Sequence, residues 1–86
     1  MYEVVFSEKF DKELKRIAER NPRIKTKVKQ QIELLSANPR HKSLRIHKLS
    51  SQKTWSLSVT MNLRIIFVIK ENRILCLRIG KHEDVY

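Results

Sequence analysis

Apolar positions alternate along residues 55–59 and then crowd together along 63–69. Trp55, Leu57 and Val59 alternate with Ser56, Ser58 and Thr60, the period of a half-buried strand. Met61-Asn62 reads as the turn that follows, since Asn tolerates the positive φ of tight hairpins. Leu63–Ile69 is apolar apart from Arg64, the composition of a mid-sheet strand partly covered on both faces. Arg64 shares a face with Ile66 and Val68, and Leu63, Ile65, Phe67 and Ile69 point the other way. A guanidinium does not shed its charge to escape burial, so Arg64 needs an acidic partner or an open face. No carboxylate occurs from Leu34 to Lys70, which favours the open, anion-seeking reading.

The period changes to helical in the first half of the chain. Tyr2–Phe6 reads as a short strand. Ser7 is a good helix N-cap, with Glu8 and Asp11 near the positive end of the helix dipole. Phe10, Leu14, Ile17 and Ala18 then form one apolar stripe. Pro22 disfavours a helical Asn21, so this helix stops near Arg20. Asn21 is expected to cap a second helix with Pro22 at its first position. Ile24, Val28, Ile32 and Leu35 make the second stripe, and Asn38-Pro39 ends it. Lys25, Lys27 and Lys29 fall largely off the stripe, as a solvated face or a partner contact.

A helix hairpin cannot bury two stripes alone, so the strands must supply the other layer. They are placed near 44–49, 54–60, 63–70 and 73–79, with Glu71-Asn72 as the last turn. The expected fold is α+β over a single domain, residues 1–86: an N-terminal strand and a two-helix hairpin packed on one face of a largely antiparallel, twisted sheet of four to five strands. Alternation then sorts the polar residues. Leu44 and Ile46 face the helices, leaving Arg45 and His47 on the other side. Leu75, Leu77 and Ile79 face the helices, leaving Arg78 with Cys76. The helix-free face is expected to gather Arg45, His47, Arg64 and Arg78. Gly80 permits a sharp turn that would fold Lys81, His82 and Tyr86 back over it.

Charge narrows the partners. The 86 residues carry a net charge of +10. Cations exceed acids by 11 to 6 in residues 1–43 and by 8 to 3 in 44–86, so the excess is general. The acid-free stretch 34–70 concentrates it in Arg40, Lys42, Arg45, Lys48, Lys53, Arg64 and Lys70, with His41 and His47. Such a field favours nucleic acid, an anionic membrane or an acidic protein. One cysteine excludes an internal disulfide and a cysteine-based zinc cluster. Cys76 sits in an apolar run, as a buried and inert thiol. No signal peptide or membrane span is recognisable, so the expected location is cytoplasmic, with no membrane partner.

Histidines and arginines without an acidic metal cluster suit RNA cleavage by the RNA's own 2′-hydroxyl. A base removes the 2′-OH proton, an acid protonates the departing 5′-oxygen, and cations stabilise charge on the phosphorane. Histidine suits either proton role because it titrates near neutrality. Preplaced arginines suit the third, and neither metal nor cofactor is needed. A terminal tyrosine stacks on a base. Each residue also has a plainer reading. His41, His47 and His82 fit the surface of any small basic protein, and Arg64 fits a surface ion pair. Arg78 fits a pair with Glu83 or Asp84, and Trp55 fits the core.

The order of segments carries a resemblance. Leu44-Arg45-Ile46-His47-Lys48-Leu49, Trp55-Ser56-Leu57-Ser58-Val59, Leu63-Arg64-Ile65-Ile66-Phe67 and the closing Ile79-Gly80-Lys81-His82-Glu83-Asp84-Val85-Tyr86 follow an opening strand and helix hairpin. In order and spacing the chain resembles the RelE/ParE superfamily of bacterial and archaeal type II toxins along nearly its whole length. The resemblance implies a toxin neutralised by a cognate acidic antitoxin in a hetero-oligomer, cutting mRNA in the ribosomal A site. Arg64 matches the arginine that opens the central strand in RelE- and YoeB-like members. His82 and Tyr86 match the near-terminal histidine and terminal aromatic of YoeB- and YafQ-like members, and His47 looks like the histidine before the tryptophan strand in YafQ-like ones. YafQ-like toxins carry an acidic residue and a further histidine before the central strand, where this chain has Asn62 and Ser58. YoeB-like toxins use a glutamate as base on the strand before the tryptophan, and here that strand has His47 and no glutamate. The general base is therefore not fixed by the resemblance, and His47 is the candidate.

The expected site is His47, Arg64, His82 and Tyr86 for catalysis, with Arg45, Lys48, Lys53, Arg78 and Lys81 on mRNA or ribosomal RNA and no metal ligand. Two other readings stand beside it. ParE-like members poison DNA gyrase without catalysis and generally lack the histidine-bearing end. A basic nucleic-acid-binding module without toxicity is the third.

Overall fold

The computed structural model describes residues 1–49 and 53–81. Strand β1 (Glu3–Phe6) leads into helices α1 (Glu8–Arg20) and α2 (Ile24–Ala37), then β2 (His47–Lys48), β3 (Thr54–Ser58), β4 (Leu63–Lys70) and β5 (Arg73–Lys81). The five strands form one sheet in the order β1-β5-β4-β3-β2. β1 runs parallel to β5, and the other neighbours are antiparallel. The fold is the α+β arrangement read from the sequence, two helices against one face of a five-stranded mixed sheet.

Both helical stripes meet that face. Phe10, Ala18, Ile24, Val28 and Leu35 are buried against Leu57, Ile65, Phe67, Ile74 and Ile79. Ser7 caps α1 as expected, its Oγ accepting the Phe10 N–H at 3.0 Å, and Asn21 ends α1. The start of α2 differs. Asn21 and Pro22 form a turn instead of cap and first position, with the Ile24 N–H donating to the Asn21 carbonyl at 3.0 Å, and α2 begins at Ile24. Gln31 joins the buried stripe by donating from Nε2 to the Ser58 carbonyl at 2.7 Å. A buried amide is tolerable only with such a partner.

Three strand readings are corrected. Residues 44–49 are not one strand. Lys42–Leu44 is a 3₁₀ turn, capped by His41 Nδ1 on the Ser43 N–H at 3.1 Å. Arg45 then takes the left-handed φ of 47°, which leaves only His47–Lys48 to pair with β3. The β3–β4 connection is longer than Met61-Asn62. It closes with the Val59 N–H on the Leu63 carbonyl at 2.8 Å, and Asn62 does not take a positive φ. At the last turn Glu71 does, at 57°.

The third correction sets the site. Phe67 pairs with Cys76, and Ile66 pairs with Arg78, so Leu77 is an extra residue in β5. This bulge flips the alternation. Ile74 and Cys76 enter the helix-side core before it, and Ile79 enters after it. Leu75 and Leu77 are not helix-facing, and Cys76 does not share a face with Arg78. Cys76 is fully buried, which pushes its thiol up to about 12. Without the bulge, Arg78 would share the parity of Ile74 and Cys76 and point into the core. Gly80 makes no turn. It lies inside β5, paired with Arg64. The proposed return of His82 and Tyr86 over the sheet lies outside the described residues.

Candidate active site on the helix-free face

Directly paired residues of neighbouring antiparallel strands share a face. His47 pairs with Ser56, Ser56 with Ile66 and Ile66 with Arg78. One row of side chains therefore crosses the sheet on the side away from the helices. The next row is Ser58, Arg64 and Gly80. His47, Arg64 and Arg78 thus share the face read from the sequence.

Arg64 is half-exposed at the middle of this face. Its Nε donates to Ser56 Oγ at 3.0 Å, and its Nη2 donates to the Arg45 carbonyl at 2.7 Å. Both acceptors are neutral, so the guanidinium is oriented without losing its charge. The ion pairs among the described residues are Lys12–Glu8, Arg73–Glu3 and Arg78–Glu13, and Arg64 is in none of them. Gly80 opposite Arg64 carries no side chain to cover it. A fixed, uncompensated cation on an open face is built to meet an anion.

The surroundings explain how the sequence builds this. The left-handed Arg45 turns its carbonyl toward Arg64, whereas the sequence points only to its side chain, as an RNA contact. Ser56 is fully buried and was read only as the polar half of an alternating strand. Its link to Arg64 depends on the β3–β4 register, which the sequence pattern does not contain. Glu13 was also missed. Its Oε2 accepts from Arg78 Nη2 at 2.8 Å and Nε at 3.3 Å, and its Oε1 accepts the Ile79 N–H at 3.1 Å. Arg78 is thereby tied to α1; its expected pairing with Glu83 or Asp84 lies outside the described residues.

The remaining candidates are dispersed. His47 is exposed on the short edge strand β2. Lys48 pairs with Trp55 on the opposite face and holds its ammonium 5.6 Å from the ring centroid, a cation–π contact. Lys53 is exposed before β3 with φ 60°. Lys81 pairs with the buried Leu63 and so falls on the helix side of the strand end. A cleft of about 790 Å³ opens on that helix side between Trp55, Phe67 and Ile69, rimmed by Arg40 and Arg45. His82 and Tyr86 lie outside the described residues. No group of three or more potential metal ligands occurs among the described residues, and none of their helices is long and apolar enough to cross a membrane.

The family model for the ParE toxin of type II toxin–antitoxin systems, parDE, matches residues 4–86. The chain belongs to this family, within the RelE/ParE superfamily. It is a toxin of a type II toxin–antitoxin system. No curated protein sequence matches it. Several solved structures share the toxin's fold. A metal-bound toxin from Helicobacter pylori is 24% identical with a TM-score of 0.85, each chain covered over 100% of its length. YafQ in the E. coli DinJ–YafQ toxin–antitoxin complex is 19% identical with a TM-score of 0.82, over 99% of the toxin and 97% of that chain. A YoeB/ParE toxin from Agrobacterium tumefaciens is 14% identical with a TM-score of 0.81, over 93% and 98% respectively.

Proposed function

We propose that the toxin is a ribosome-dependent endoribonuclease that cuts mRNA in the A site through the RNA's own 2′-hydroxyl. The observation that carries this reading is Arg64, oriented by two neutral acceptors on the same open face as His47. A cation held in place before the reaction stabilises charge as it develops, at no reorganisation cost. In this reading His47 takes the 2′-OH proton. The 2′-oxygen attacks phosphorus while Arg64 holds the non-bridging oxygens. His82 gives a proton to the departing 5′-oxygen, and Tyr86 stacks on or hydrogen-bonds a base at the scissile step. The bond formed is 2′-O–P and the bond broken is P–5′-O, so no metal enters the balance. Arg45, Lys48, Lys53, Arg78 and Lys81 contact phosphate of mRNA or ribosomal RNA. Lys48, facing the other side beside Trp55, suits ribosomal RNA better than the scissile strand.

The cognate partner is an acidic antitoxin segment that folds on binding, in line with the complex in which YafQ was solved. Opposite charge speeds such association and makes it salt-sensitive.

The test is the chemistry of the cut ends. Purified toxin is incubated with ribosomes programmed with a defined mRNA. The downstream fragment is expected to carry a 5′-hydroxyl, and so to accept label from a polynucleotide kinase without prior dephosphorylation. A 5′-phosphate would mean attack by water and would remove the roles given to His47 and His82. A gyrase inhibitor without catalysis is the second reading, favoured by the ParE name of the matching family. It predicts loss of supercoiling activity by purified gyrase and no RNA fragments.

A further inference from the structure

On the edge away from β4, β5 loses its strand partner after Cys76, where β1 ends. α1 takes over that edge. The Ser7 N–H donates to the Cys76 carbonyl at 3.0 Å, Ser7 Oγ donates to the Leu77 carbonyl at 2.7 Å, and Glu13 receives the Ile79 N–H at 3.1 Å. This stitching lays one side of α1 along the end of β5. Arg16, Ile17 and Arg20, at i+3, i+4 and i+7 from Glu13, stand on that side. Between helix and strand lies a cleft of about 540 Å³. Its floor is apolar, from Ile17 and Ile79, and its rim carries Arg16, Arg20 and Lys81. Among the described residues that line it the one acid is Glu13, which is engaged by Arg78 at 2.8 Å. The rim cations are therefore not balanced within the cleft. Gly80 lines the cleft and is also the cross-strand partner of Arg64, so the two sites share a wall that has no side chain.

We propose that this cleft binds the phosphodiester backbone of the RNA as it runs on from the scissile phosphate. Arg16 and Arg20 are one helical turn apart, about 6 Å along the axis, so they present successive cations to successive phosphates. The apolar floor accepts ribose or base between them. The inference rests on the endoribonuclease reading and extends the site from one phosphate to a track.

The test pairs two double variants with equal loss of charge. One is Arg16→Gln with Arg20→Gln. The other is Lys25→Gln with Lys29→Gln, on the exposed surface of α2. Single-turnover cleavage is measured against ribosome concentration, and binding of a single-stranded RNA oligonucleotide is measured against salt. For the arginine pair, the half-saturating ribosome concentration is expected to rise about tenfold or more, with the plateau rate within about twofold of the parent. Two lost phosphate contacts on single-stranded RNA should make the log–log salt dependence shallower by about 1.4. The lysine pair should shift both quantities much less.

Equal effects of the two pairs would show that only the overall field matters, and would overturn the proposal. So would an arginine pair that lowers the plateau rate alone, or one that weakens antitoxin binding and leaves RNA binding intact. A parent toxin that cuts no RNA defeats the endoribonuclease reading. A parent that cuts, with an arginine pair that matches it, defeats the track alone.

Discussion

His82→Gln is expected to lower the single-turnover cleavage rate by about 10²–10⁴-fold, the usual cost of losing a general acid. The leaving 5′-alkoxide is a poor leaving group unless a proton reaches it as the P–O bond breaks. Glutamine keeps the size and hydrogen bonding of histidine but has no proton to give near neutral pH. Arg64 cannot substitute, because a guanidinium stays protonated across the working range. His47, on the edge strand, is assigned to the other proton. The half-saturating ribosome concentration should change little, since the lost interaction belongs to the transition state. A rate within about threefold of the parent would remove the proton-donor role, because even tenfold is only about 1.4 kcal/mol of barrier.

Arg64→Ala is expected to cost about 10²–10³-fold in the same rate, the scale for one preplaced electrostatic stabiliser. The geometry states what is lost. Ser56 Oγ and the Arg45 carbonyl hold the guanidinium at 3.0 and 2.7 Å, so the cation waits in position before substrate arrives. Each hydrogen bond contributes about 0.5–1.5 kcal/mol to stability, and Arg64 is half-exposed. The variant should therefore fold, with a modest fall in its unfolding midpoint. Arg64→Lys keeps the charge but presents no fork to two acceptors, so it should recover only part of the rate. An Arg64→Ala toxin that cuts at the parent's rate, or one that no longer folds, would show that the residue is structural.

Local patterns carried much of this architecture. Ser7 followed by Phe10, Leu14, Ile17 and Ala18 specified α1, and the alternation of Leu63, Ile65 and Phe67 put Arg64 on the far face. What escaped the sequence was set by distant pairing. Leu75 and Leu77 read as inward because two-residue alternation was carried through Leu77, where β5 bulges. The bulge lies where β1 gives way to α1 along the β5 edge, a change of partner that no local window contains. Arg45 read as a strand residue because the His41 cap and the 3₁₀ turn before it depend on a side-chain nitrogen. Glu13 carries no local signal, because its partners, Arg78 and Ile79, lie 65 and 66 residues away. The row of His47, Ser56, Ile66 and Arg78 was half legible. The face of each side chain followed from parity, but the hydrogen bonds that fix Arg64 needed the register.

The most direct measurement of the central claim is a map of mRNA 5′ ends by primer extension, after the toxin is induced in cells without its antitoxin. A ribosome-dependent cut in the A site must keep the reading frame. The ends should therefore fall at one fixed position within codons, and only in translated messages. Intact messages accompanied by a supercoiling defect would contradict the account and leave the toxin as a gyrase inhibitor.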